Sequence, residues 1–255
     1  MTLDLVTIPC RTDNYAYLVH DVSSGRTAVI DVPDAAPVAT ALAARGWTLT
    51  DILITHHHGD HIDGVEALRA ATGARVVGAA ADAHRLPRLD LAVSDGMTFP
   101  FGARMVRVIE VPGHTLGHVA YHLPDGALAF TADSLMAGGC GRLFEGTPAQ
   151  MWSSLGKLAA LPPETLICSG HEYTTANLAF AVTLDPQNPA LQTRIAAVAA
   201  ARAANRPTVP SSLSLELATN PFLRADSAAL RAAVRMPDAP TAAVFAEIRA
   251  RKDRF

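Results

Sequence analysis

Residues 55–64 read THHHGDHIDG, which sets four histidines and two aspartates within ten positions. The spacing is His56-x-His58-x-Asp60-His61, directly after the apolar run DILIT. Two side chains one residue apart point the same way at a strand end. An aspartate and a histidine on the following turn can then face a second point nearby. Imidazole and carboxylate are donors that a borderline metal such as zinc accepts. The histidine pair alone would describe a solvated polar loop equally well. Three downstream segments argue against that. VPGHTLGH puts His114 just after MVRVIEV, FTADSL puts Asp133 just after ALAF, and CSGHEYT puts His171 just after TLIC. Each of these residues follows an apolar strand-like run, the end at which α/β sheets gather their chemistry. Five histidines and two aspartates are more than one tetrahedral metal needs, and they suit two metals sharing a bridging carboxylate. Among the other histidines, His57 alternates to the opposite side of its backbone and reads as a supporting or structural residue. His118 and His122 read as hydrogen-bonding or strand-surface residues, and His20 and His84 have no supporting context.

The elements that must position these residues are legible as periodicity. YAYLV, TAVID, DILIT, RVVGA, MVRVIEV, HVAYHL, ALAFTAD and TLICSG read as strands. Helical patterns lie at 37–45, 64–72 and 148–160. Strand-like runs that follow one another without a helix, such as MVRVIEV and HVAYHL, indicate mixed rather than purely parallel sheets in an α/β chain. After residue 172 the texture changes. TTANLAFAVTL, PALQTRIAAVAAARAANR and DAPTAAVFAEIRARKDRF are alanine-, leucine- and arginine-rich at helical spacing, with RPTVPSS and NPFLRADS as connectors. The reading is a domain over 1–173 followed by a helical domain over 174–255.

The 255 residues, 49% of them hydrophobic, are ample for a sizeable core, and a formal net charge of −3 argues against a nucleic-acid partner. Cys10, Cys140 and Cys168 form no CxxC pair and read as reduced thiols. No secretory leader or long apolar span is evident, so a cytoplasmic protein without a membrane partner is expected, a monomer by default.

The HxHxDH segment with the later His, Asp and His resembles the metallo-β-lactamase superfamily. That resemblance implies an αβ/βα sandwich of two mixed sheets. It implies that His56, His58 and His114 hold a first metal, that Asp60, His61 and His171 hold a second, and that Asp133 bridges them. It also implies a hydrolase whose nucleophile is a metal-bound hydroxide, held by Asp60 and Asp133, with no protein nucleophile required. Two divalent ions per chain are expected, zinc first, with iron and manganese open.

TDNYAYL near the start, GGCGRLFEGT, GHEYT, TVPSSLSLELATNPFLR and the ending RARKDRF narrow the resemblance to the hydroxyacylglutathione hydrolases, the glyoxalase II family, over residues 12–255. This implies hydrolysis of S-D-lactoylglutathione, and of other 2-hydroxyacyl thioesters of glutathione, to glutathione and D-lactate, the second step of methylglyoxal detoxification. The helical domain would then bind glutathione. The resemblance carries substrate contacts onto Arg142, Phe144, Tyr173, Arg249 and Lys252, and cations suit the two carboxylates of glutathione. From charge alone, Arg249, Arg251, Lys252 and Arg254 read as a solvated helix end that complements the helix dipole. The resemblance singles out Arg249 and Lys252. Two departures stand out. Arg142 and Phe144 occupy positions where the family often has lysine and tyrosine. Asp63 occupies a position often held by glycine and reads as a solvated loop carboxylate. The rival readings are an iron-dependent sulfur dioxygenase of the same superfamily and a non-catalytic metal- or glutathione-binding protein. Oxygen uptake and metal content separate the first from a hydrolase. The unbroken ligand set argues against the second.

Overall fold

The computed structural model describes residues 3–255. The chain forms two compact units, one of residues up to Glu110 with Gly117–Ala132, the other of Val111–Leu116 with Asp133–Phe255.

In the first unit, β1 (Leu3–Cys10), β2 (Asn14–Asp21), β3 (Arg26–Ile30), β4 (Leu49–Leu53), β5 (Arg75–Ala79) and β6 (Leu91–Val93) lie side by side in that order. β1 to β3 run antiparallel and β3 to β6 parallel, so this sheet is mixed. Parallel neighbours need crossovers. These carry α1 (Ala35–Arg45) between β3 and β4, then α2 (Gly59–Ile62) and α3 (Val65–Thr72) between β4 and β5. Val38 and Leu42 of α1 and Val65 and Leu68 of α3 share one core with Ile8, Leu18, Val29, Ile52 and Val76.

β7 (Thr98–Phe101), β8 (Arg104–Glu110), β9 (Val119–Leu123) and β10 (Leu128–Ala132) form an antiparallel run. They pack on the first sheet. The ring of Tyr17 lies 5.7 Å from that of Phe130, and the Tyr121 hydroxyl donates to the Ile54 carbonyl at 2.7 Å. β9 and β10 are buried at every position, which is why VAYHL and LAFTA read as near-continuous apolar runs.

The second unit opens with the small hairpin β11 (Leu135–Met136) and β12 (Gly139–Cys140), followed by α4 (Pro148–Ala159). α4 begins at a capping box, Thr147 and Gln150 each satisfying the other's backbone amide. β13 (Leu166–Ser169) precedes α5 (Thr174–Leu184) and α6 (Pro189–Ala203), and pairs antiparallel with β14 (Ser211–Ser212). α7 (Leu213–Thr219), α8 (Ala228–Ala233) and α9 (Thr241–Arg254) complete the chain. α4 and α9 meet through Trp152 and Phe245, and Phe222 joins that contact with its ring 5.9 Å from Phe245.

Candidate metal centre

Each unit gathers its own histidines and carboxylates. In the first, the chain leaves β4 through Thr55–His58 and turns into α2, which delivers Asp60 and His61. His56 and His61 are fully buried. Asp31, one residue past β3, organises both. It adopts a left-handed φ of 54°, uncommon for a residue with a side chain. Its Oδ1 accepts from the Thr55 amide at 2.8 Å, and its Oδ2 accepts from the Thr55 hydroxyl and from His61 Nδ1, both at 2.8 Å. With its proton given to Asp31, Thr55 Oγ1 accepts from His56 Nδ1 at 3.0 Å. Both imidazoles therefore carry their proton on Nδ1 and keep the Nε2 lone pair for a ligand. His56 Nε2 lies 3.1 Å from His58 Nδ1, and Asp60 Oδ2 lies 3.8 Å from His61 Nε2. Asn14 holds Asp60 in place by donating to its Oδ2 at 3.1 Å and to its carbonyl at 3.0 Å.

In the second unit, His114 donates from Nδ1 to the Arg142 carbonyl at 2.7 Å, which again leaves Nε2 as the ligand nitrogen. That nitrogen is 3.4 Å from Asp133 Oδ2, and His171 Nε2 is 3.3 Å from the same oxygen. These separations exceed a good hydrogen bond. They suit donors about 2.0–2.1 Å from a common ion. The donor chemistry of both clusters, with the tautomers of His56, His61 and His114 fixed, therefore fits divalent metals.

The supporting histidines are now specific. His57 Nδ1 lies 3.4 Å from Asp82, which also receives Arg85 at 2.9 Å. His118 does not lie at a strand surface: it is fully buried, its ring stacked 4.6 Å from that of His56. His20 bonds Thr27 and stacks on Trp47. Asp63 is exposed but not merely solvated, since Arg11 reaches its carboxylate at 2.7 Å.

Of the five residues expected at the substrate, three present themselves openly. Phe144 is exposed, with its ring 5.3 Å from that of His114. Tyr173 is exposed and stacks on His171 at 4.7 Å. The largely exposed Arg142 faces Asp253 at 3.6 Å. Lys252 donates to the Ala176 carbonyl at 3.0 Å and sits over the rings of Phe180 and Phe255, and burial lowers its pKa. Arg249 is different. It is buried, donates to the Cys140 carbonyl at 2.8 Å and to Asp253 at 2.9 Å, and lies over the Phe222 ring. The cysteines are buried, and burial pushes the Cys140 thiol up to about 11 and that of Cys168 higher still, so neither is a nucleophile at neutral pH.

Sequence reasoning missed Asp31 and Asn14. The available signal for Asp31 was an acidic residue closing the apolar run TAVID, beside the strand that leads to the histidines.

Residues 11–171 match the metallo-β-lactamase superfamily, and solved structures with that fold align along the chain. ETHE1 from Myxococcus xanthus superposes with a TM-score of 0.65 at 27% identity, covering 99% of this chain and 98% of its own. TTHA1623, solved in a di-iron-bound form, gives 0.61 at 26% identity over 86% of this chain and all of its own. This defines the class: an αβ/βα sandwich with a metal-binding histidine motif. Residues 172–255 match the C-terminus of hydroxyacylglutathione hydrolases. Proteins of that name from Cereibacter sphaeroides and Ruegeria pomeroyi are 67% and 60% identical over the full length of both chains. The chain belongs to the hydroxyacylglutathione hydrolase family, with that family's C-terminal helical domain.

Proposed function

We propose that the protein hydrolyses S-D-lactoylglutathione, and other S-(2-hydroxyacyl)glutathiones, to glutathione and D-lactate, the second step of methylglyoxal detoxification. The observation that carries this is likeness to hydroxyacylglutathione hydrolases over the whole chain, helical domain included. In this reading residues 1–173 form the catalytic domain and 174–255 the glutathione-binding domain. His56, His58 and His114 would hold one divalent metal and Asp60, His61 and His171 the other, with Asp133 contributing its carboxylate to both. When bound, two such ions would bring a water's pKa towards neutrality and polarise the thioester carbonyl. Zinc comes first among zinc, iron and manganese.

The protein's own residues supply the rest. Asp31 and Thr55 fix the faces of His56 and His61, and the Arg142 carbonyl fixes that of His114. Asp60 and Asp133 would orient the attacking water. Arg142 and Lys252 offer cations to the glutathione carboxylates. Phe144 and Tyr173 offer rings to its flank. Arg249, being buried, acts through the turn whose Cys140 carbonyl it holds. The enzyme works as a cytoplasmic monomer without a nucleic-acid or membrane partner. Among the described residues no helix is long and apolar enough to cross a membrane.

The test is product balance. Metal-loaded protein given S-D-lactoylglutathione should release free thiol and D-lactate in equal amounts without consuming oxygen. Oxygen uptake on glutathione persulfide, with the thioester left intact, would overturn the reading in favour of a dioxygenase.

A further inference from the structure

The hairpin joining β11 to β12 is too short to hold itself. Its strands are two residues each, and Gly138 between them has a left-handed φ of 68°. Yet the chain that follows it, Gly141 to Gly146, bears Arg142 and Phe144 and supplies the carbonyl that fixes His114. What fixes the hairpin is a set of side chains from the helical part of the chain, each bonded to its backbone. Asn220, which follows α7, donates to the Met136 carbonyl at 3.1 Å and the Gly139 carbonyl at 2.9 Å. Asn177 of α5 donates to the Ala137 carbonyl at 3.1 Å. Glu216 of α7 accepts from the Gly138 amide at 2.8 Å, and Arg249 of α9 donates to the Cys140 carbonyl. Every residue from Met136 to Cys140 thus has a backbone group bonded to one of these four side chains.

The mould is itself braced. Glu216 is fully buried, and its other oxygen accepts from Ser211 at 2.5 Å and forms an ion pair with buried Arg194. Arg194 also donates to Thr219 at 2.6 Å. A buried ion pair contributes little net stability over apolar packing of the same volume. It does fix where a carboxylate oxygen points, and here that oxygen points at the Gly138 amide. The fit leaves no slack. A Cβ on Gly139 would lie 2.5 Å from Asn177 Nδ2, and one on Gly141 would lie 1.9 Å from the Asp133 carbonyl.

We propose that Asn177, Glu216 and Asn220 are positioning residues for glutathione recognition. They mould the Met136–Cys140 turn so that Arg142 and Phe144 are preset for the substrate, and the helical domain thereby controls affinity through residues that never touch the ligand. This rests on the glutathione reading above. Its chemistry is preorganisation: a side chain held in place before binding loses less freedom on binding.

The test uses the full-length, metal-loaded protein and S-methylglutathione, a thioether that cannot be hydrolysed, with binding measured by calorimetry. Asn177→Ala removes one bond to the turn and leaves the ion pair intact. Glu216→Gln removes the charge that holds Gly138 and serves as the second variant. Both should weaken binding about tenfold, and raise KM for the thioester more than they lower kcat, since small misplacements of positioned groups carry large costs. The wild-type metal content should be retained. Asn177→Ala protein that melts at a lower temperature yet binds S-methylglutathione as tightly as wild type would reduce these residues to scaffold and overturn the proposal. No binding by the wild-type protein would instead overturn the glutathione reading, and the inference with it.

Discussion

Asp133 is the residue on which the two-metal reading turns, because one of its oxygens lies between His114 Nε2 and His171 Nε2. Asp133→Ala should lower kcat by more than about a hundredfold, since even the loss of residues that merely support ligands costs 10–100-fold. Steady-state kinetics on a variant shown by circular dichroism to be folded would check this, and near-normal kcat would remove Asp133 from the bridge. Asp31 offers the complementary case. Asp31→Asn leaves one oxygen to serve Thr55 and His61 and places an N–H where an acceptor stood. Metal affinity should fall about 10–100-fold, read by competition with a chromogenic chelator. Phe144→Tyr should lower KM, because a new hydroxyl beside the substrate is worth about 0.5–1.5 kcal/mol. An unchanged or higher KM would exclude that role. At this scale the candidate ligands were legible because metal chemistry confines such donors to His and Asp beyond strand ends. Asp31 was not, since an aspartate closing a strand looks the same whether it orients a ligand or meets water. Arg249 was legible as important but not as buried, because a basic residue near a helix end gives no sign of what packs over it.

The elements show where periodicity carries information and where it stops. TTANLAFAVTL coincides with α5, and RVVGA with β5. Both are long or apolar enough for a clear pattern. β6, β7, α7 and α8, of three to seven residues, escaped notice because so short a run shows no period, and five-residue RVVGA was legible through its apolar character and the turns that bound it. One short linkage has a measurable consequence. Asp21, at the end of β2, is buried, which alone would raise its pKa. The hydroxyls of Ser23 and Ser24 and the amides of Ser23 and Ala103 outweigh this and bring it from 3.8 to about 2. A carboxyl depressed by folding contributes its full stability above its ordinary pKa and loses it as pH falls towards the folded value. Wild-type melting temperature should therefore drop between pH 4 and pH 2 more steeply than that of Asp21→Asn, as thermal melts followed by circular dichroism would show. Parallel curves would mean that Asp21 adds nothing to acid lability. At the start of α4, Thr147→Ala should cost about 1 kcal/mol by opening the capping box, read as a shift in the urea midpoint.

For the molecule as a whole, the composition bounded little beyond an expectation against a nucleic-acid partner, and the substrate class was legible only through TDNYAYL, GGCGRLFEGT, GHEYT and the C-terminal helical segments. There the alanine-rich helices look generic, yet they carry Asn177 and Arg249, which hold the Met136–Cys140 turn, and Lys252, which in the proposed reading offers a cation. Their partners are distant in sequence, as with Arg249 and Cys140, and no local pattern encodes such a pairing. The central claim is that two divalent metals, held by His56, His58, Asp60, His61, His114, Asp133 and His171, form the hydrolytic centre for a glutathione thioester. The most direct measurement strips the protein with a chelator and follows loss of thioester absorbance from S-D-lactoylglutathione as zinc is returned in known equivalents. Hydrolysis should vanish on stripping and recover to a plateau at two ions per chain. Turnover that survives complete metal removal, or folded protein that stays inactive after two equivalents of zinc, iron or manganese, would contradict it.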